Sequence, residues 1–187
     1  VIDTNLPESN SVSSHLVSTL LDDRLGNLWI GTTNMGLNQV DVSTGFVKHF
    51  LAPDLPSNQV NAVIQSANGS VWVATGKGLC YIVDDGVVTI PDIPQQLDVR
   101  SLVEDENGVI WAGTSNGLAS VNPTTAEVRI LDKRSGLPTT NFTKAAIKLN
   151  DGTLAFGTSD GLVVSNPASL MRYHNFGTDA FITQLNV

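Results

Sequence analysis

The chain has 187 residues, with 10 Lys+Arg against 18 Asp+Glu and a formal net charge of −8. Hydrophobic residues make up 41% and charged residues 15%, enough apolar material for a core and too little charge for a disordered tail. The acidic balance argues against nucleic-acid partners, and no stretch approaches the roughly 20 apolar residues of a membrane helix. The length fits one domain or two small ones. No basic-then-apolar leader opens the chain, and Val1 in place of Met reads as a processed chain or an excised piece.

In chain order, a short run, Val1-Ile2-Asp3-Thr4, precedes a Ser-rich loop that carries His15. An apolar alternating run follows at 17–21, then a Gly-centred turn, then Gly26-Asn27-Leu28-Trp29-Ile30-Gly31-Thr32. The same succession returns with runs at 60–64, 99–103 and 142–147. Their blocks are G-S-V-W-V-A-T at 69–75, G-V-I-W-A-G-T at 108–114 and G-T-L-A-F-G-T at 152–158. The leading glycines Gly26, Gly69, Gly108 and Gly152 are 43, 39 and 44 residues apart. A Gly-Leu pair follows each block, at 36–37, 78–79, 117–118 and 161–162. A further alternating run closes the first three repeats, at Phe46–Phe50, Val87–Ile90 and Val128–Leu131. Alternation in short runs bounded by Asn-Gly and Asp-Gly is the pattern of antiparallel hairpins. Only Pro167–Tyr173 offers a short helical candidate.

Four antiparallel strands every ~42 residues is the size of one propeller blade. The predicted fold is therefore all-β, with four four-stranded antiparallel repeats forming a partial or a four-bladed propeller. Trp29, Trp72 and Trp111 share one register, where a large ring fills the wedge between blades. Repeat four has Ala155 there with Phe156 beside it, which predicts different packing at that blade. It also shows only three clear strands, and Val1–Thr4 is a candidate for the fourth. Four repeats could close as a ring, need further blades to become ordered, or stay open and self-associate through exposed apolar blade faces. The open arrangement is favoured for the isolated chain.

The block G-N-L-W-I-G-T followed by Gly-Leu, with Asp22-Asp23 or Glu104-Asp105 upstream, resembles the two-component regulator propeller repeat. Inter-repeat segments Leu55-Pro56-Ser57-Asn58-Gln59-Val60 and Leu137-Pro138-Thr139-Thr140-Asn141-Phe142 strengthen the resemblance, with Ile93-Pro94 a looser copy. It covers roughly residues 10–165. It implies an extracytoplasmic, periplasmic sensor region of a bacterial receptor, usually with seven blades. A small β-sandwich then leads to a membrane helix and a kinase or cyclase. On that reading 1–16 is the end of a preceding blade with a lead-in loop. Residues 17–59, 60–98 and 99–141 are blades, 142–178 is a fourth blade with its exit segment, and 179–187 begins the sandwich. Contact with the membrane is expected only through a segment outside this sequence.

Nothing in the sequence forms a catalytic set. His15, His49 and His174 are dispersed, and no spacing suits a metal or a phosphate loop, so no cofactor is expected. Cys80, flanked by Leu79, Tyr81 and Ile82, reads as a buried structural thiol. Loops on a rigid scaffold carry recognition, and the loops between blades are expected to meet those joining second and third strands. That face includes Asn58, Lys77, Asn116, Asn141 and Asp160. On the inner strands Ser18, Asn61, Arg100 and Thr143 share one register, and Thr19, Ala62, Ser101 and Lys144 the next. The ligand-binding candidates are Asn61, Lys77, Arg100, Asn116 and Lys144, with a small molecule, a saccharide among the candidates, as partner. For the cations, ion pairing with Asp98, Glu104 or a neighbouring blade is the competing assignment. The competing functions are an enzyme of the streptogramin-lyase type and a protein-interaction scaffold.

Overall fold

The computed structural model describes residues 11–94 and 96–172. It divides into two compact units, 1–99 and 100–187. The first unit holds two sheets, β1 (Val17–Asp22), β2 (Asn27–Thr32), β3 (Leu37–Asp41), β4 (Val47–Phe50) and β5 (Val60–Gln65), β6 (Val71–Thr75), β7 (Gly78–Val83), β8 (Gly86–Thr89). The second holds β9 (Val99–Glu104, whose first residue belongs to the first unit), β10 (Ile110–Thr114), β11 (Gly117–Val121), β12 (Val128–Leu131) and then β13 (Phe142–Lys148), β14 (Leu154–Thr158), β15 (Gly161–Ser165). Strand order follows chain order in every sheet and neighbours such as β1 and β2, β7 and β8, β11 and β12, and β14 and β15 pair antiparallel, which is the blade topology predicted from the repeats.

The fourth repeat has the three clear strands read from its sequence, ending at Ser165. Among the described residues its sheet has three strands, and after Ser165 the chain enters helix α1 (Pro167–Arg172). Local chemistry explains the switch. The Asn166 side chain accepts the Ala168 N–H at 2.9 Å, and proline is suited to the first helical position. Leu170, 1% exposed, then packs into the apolar core of the second unit. Val1–Thr4, the 179–187 segment and His174 lie outside the described residues.

Each conserved-looking letter of the repeat has a mechanical reason. Asp23 closes the first turn. Its Oδ1 accepts the Leu25 and Asn27 N–H groups, each at 2.8 Å, and its Oδ2 accepts the Trp29 indole N–H at 2.7 Å. Asp105 repeats the arrangement with Asn107, Val109 and the Trp111 indole at 2.8, 3.0 and 2.9 Å. Carboxylate and indole thus fasten the turn to the strand that follows it. The threonine ending each block locks the next turn. Its hydroxyl donates to the carbonyl of Gly36, Gly78, Gly117 or Gly161 at 2.7–3.2 Å. Gly117 itself, at φ +124, cannot be exchanged for a side-chain-bearing residue, because a Cβ there would collide with the Leu131 carbonyl.

The second-strand segments are buried on both faces, since each blade packs on both sides. In the first unit β1 lies beside β5, and Trp29, Phe50, Val63, Val73 and Cys80 fill the space between the two sheets. Trp29 and Phe50 rings meet at 5.6 Å. In the second unit Trp111, Leu118, Phe142, Phe156 and Val163 form the corresponding core. The altered fourth repeat is accounted for here. Phe156, next to Ala155, packs edge-on against Phe142 at 5.8 Å, so the bulk lost at the tryptophan register reappears on the opposite face of the strand. Exposed apolar side chains include Leu20 (61%) on β1 and Ile147 (59%) on β13.

Candidate functional site

The inner strands β1, β5 and β13 each carry a register irregularity near their start. The pairing register shifts between Val17 and Thr19 in β1 and between Val60 and Ala62 in β5. A bulge re-aims the side chain it carries. Ser18 is turned so that its hydroxyl donates to the Val60 carbonyl at 2.7 Å. Asn61 is turned likewise, and its Nδ2 donates to the Val99 carbonyl at 2.7 Å and to Asp98 Oδ1 at 2.8 Å. In the second unit the Arg100 Nη1 donates to the Phe142 carbonyl at 2.8 Å and to Asn141 Oδ1 at 2.7 Å. Val60, Val99 and Phe142 each open the inner strand of the following repeat. The shared register therefore holds fasteners between successive repeats. Asn61, 4% exposed, and Arg100 are engaged in this way, each through hydrogen bonds to the start of the following repeat.

The expected meeting of two loop sets is present in each unit. Gly36 N–H donates to the Asn58 carbonyl at 2.8 Å, and Gly76 N–H to Gln59 at 2.9 Å. Gly117 N–H donates to Thr140 at 2.7 Å, and Ser159 N–H to Asn141 at 3.0 Å. Lys77 and Asn116 occupy equivalent turn positions, both exposed, with their N–H groups tied to Thr75 and Thr114 hydroxyls at 3.2 and 3.1 Å. Lys144 is exposed on β13. Of the five candidates, Lys77 borders a cleft. It measures about 460 Å³ and lies among Pro53, Leu55, Lys77, Leu79, Ile90 and Ile93. Its walls are the inter-repeat segments on either side of the second repeat. Sequence reading treated those segments as repeat markers and passed over their prolines as walls, although Leu55-Pro56 and Ile93-Pro94 were the available signal.

Other reactive groups serve the fold. Burial pushes the Cys80 thiol up to about 12, which leaves it protonated and unreactive at neutral pH. His49 Nδ1 lies 2.7 Å from Asn38 Oδ1 on neighbouring strands. Among the described residues no group of three His, Cys, Asp or Glu side chains converges as a metal site, and no helix is long and apolar enough to cross a membrane.

The family described as two component regulator propeller matches at residues 11–34, 54–77 and 92–116. No curated protein matches the chain. Among solved structures, the extracellular domain of the hybrid two component system BT3049 of B. thetaiotaomicron superposes with a TM-score of 0.77 at 22% identity. That match covers 94% of this chain and 26% of the other. The extracellular domain of BT4673 from the same organism gives a TM-score of 0.71 at 26% identity, over 86% of this chain and 22% of that one. Virginiamycin B lyase from Staphylococcus aureus gives 0.65 at 16% identity, over 84% of this chain and 55% of that one, a likeness of fold alone. This chain spans about a quarter of the length of the two component structures it matches. Turn aspartate, indole, small residue and threonine recur here as the working parts of one unit, and over residues 11–34, 54–77 and 92–116 that unit matches the two component regulator propeller repeat.

Proposed function

We propose that this chain is a stretch of the extracytoplasmic sensor propeller of a bacterial two-component receptor, acting by binding a small ligand or relaying its presence. The observation that carries this reading is the repeat itself, matched three times, in a fold shared with extracellular domains of hybrid two component systems. Those same relatives support a periplasmic or extracellular location. Each unit has loops that offer exposed polar groups for recognition, Lys77 in the first and Asn116 in the second. A stiff blade stack is suited to passing on a change in placement, provided the ligand binds two arrangements with different affinity. The lyase alternative draws support only from likeness of fold.

The test is the gene that encodes this chain. Further copies of the repeat are expected upstream, and downstream a sandwich module, a membrane helix and a kinase or cyclase output. A gene that runs to its stop codon without a membrane helix or an output module overturns the sensor reading.

A further inference from the structure

The cleft beside Lys77 combines two properties that together select a ligand. Its lining is mainly aliphatic, with Thr89 and Gln96 among its polar members. Leu55, Leu79 and Ile93, each 1% exposed, line it together with Pro53 and Ile90. One cation stands at its rim, the Lys77 ammonium, and no carboxylate among the described residues is paired with it. The ammonium is carried on the tight turn between β6 and β7, whose backbone is held by the Thr75 hydroxyl and by Gly76 N–H to Gln59. The volume of about 460 Å³ falls in the range of small-molecule sites, roughly 300–1,000 Å³.

We infer that this cleft binds a small carboxylate with an apolar body, the chain lying along the proline and isoleucine walls and the carboxylate meeting Lys77. The reasoning is electrostatic complementarity on an apolar surface. The net charge of −8 opposes anions over the surface as a whole, so the Lys77 ammonium at the rim is the local group that favours one here. A charge-assisted hydrogen bond from the ammonium is strengthened by the low-dielectric walls next to it. A neutral saccharide fits less well, because no aromatic ring lines the cleft as a stacking platform. The inference rests on reading the chain as a ligand-binding sensor module and specifies the ligand class at one place in it.

The experiment titrates the isotope-labelled chain with octanoate, with octanamide and with a neutral maltooligosaccharide, following backbone amide signals by NMR. Octanoate is expected to move the signals of Lys77, Gly78, Leu79, Ile90 and Ile93, with a dissociation constant on the order of 1 mM. Octanamide should bind about tenfold more weakly. Lys77→Gln should bring octanoate down to the affinity of the amide, while Lys77→Arg retains it. Lys77 is exposed, and unchanged spectral dispersion in the variants verifies folding. Equal binding of octanoate and octanamide overturns the inference, as does absence of any shift at roughly ten times the expected constant. Shifts confined to another surface overturn it as well. An oligosaccharide that moves these signals where octanoate does not overturns the ligand class and leaves the sensor reading standing. The sensor reading itself fails only on the gene.

Discussion

At the residue scale, the second repeat is the informative one. Trp72 is 1% exposed and its ring stacks on Tyr81 at 4.9 Å, yet its indole N–H has no partner. The cause is one substitution in the repeat. Ser66 stands where Asp23 and Asp105 stand, and its hydroxyl turns instead to Asn68 Oδ1 at 2.6 Å. An orphaned buried donor costs about 1–3 kcal/mol. In the fourth repeat Leu149 and Ala155 stand at the aspartate and tryptophan positions, so neither partner is present there without the other. Ser66→Asp is therefore expected to stabilise the chain by about 1 kcal/mol, and Asp105→Ala to destabilise it by about 3 kcal/mol. Urea unfolding midpoints measure both, and a Ser66→Asp midpoint at or below that of the parent contradicts the account. A pH dependence follows from Asp23. Burial raises its carboxyl, but the bonds from Asn27 N–H, the Trp29 indole, the Asn27 side chain and Leu25 N–H outweigh that and hold it below the usual carboxylate range. Its contribution is present above the ordinary value of about 3.9 and is lost as pH falls through the lower folded value. Asp23→Asn should therefore shrink the fall in urea midpoint between neutral and acid pH. It should not abolish that fall, because Asp41, through Ser43 and Thr44, and Asp151, through Thr153, are held low by turn bonds of their own.

At the element scale, the strands fit because residue sizes are matched across them. A Cβ on Gly31 would lie 2.5 Å from the Thr19 methyl and 2.6 Å from Val60 Cγ1. In the second repeat the paired positions are Ala74 and Ala62, and the small inner residue makes room for the alanine. Gly31→Ala should cost about 1–3 kcal/mol through overpacking. Adding Thr19→Ala should relieve it in part, with Val60 accounting for the remainder. A double-mutant cycle in thermal unfolding reads the coupling, and additive effects would contradict the size-matching account. The bulges in β1 and β5 belong to the same scale. Both could be located as strands from alternation, but neither could be located as bulged. An irregularity of one residue does not disturb a two-residue period enough to be seen, yet it decides that Ser18 and Asn61 point to the next repeat.

At the scale of the whole molecule, the repeat pattern determined the strand count, the turn positions and the blade topology, because each is set by interactions a few residues apart. The Thr-to-Gly bond spans three or four residues and recurs in all four copies, and the Asp-to-indole bond spans six and forms in the first and third, where both partners stand. The helix from Pro167 was legible for the same reason, since its cap and first turn are local. Other features depended on partners about forty residues away, at a distance no local rule spans. The sequence placed Asn61 and Arg100 at one shared register of the inner strands, but only the fold brought Val99 and Phe142 to them and made them fasteners. It marked Lys77 as an exposed turn cation, but only the folding of two inter-repeat segments against that turn supplied an apolar cleft beneath it. Short-range hydrogen bonding and alternation are encoded residue by residue. The surroundings of a side chain are decided by which distant segments hydrophobic burial draws together.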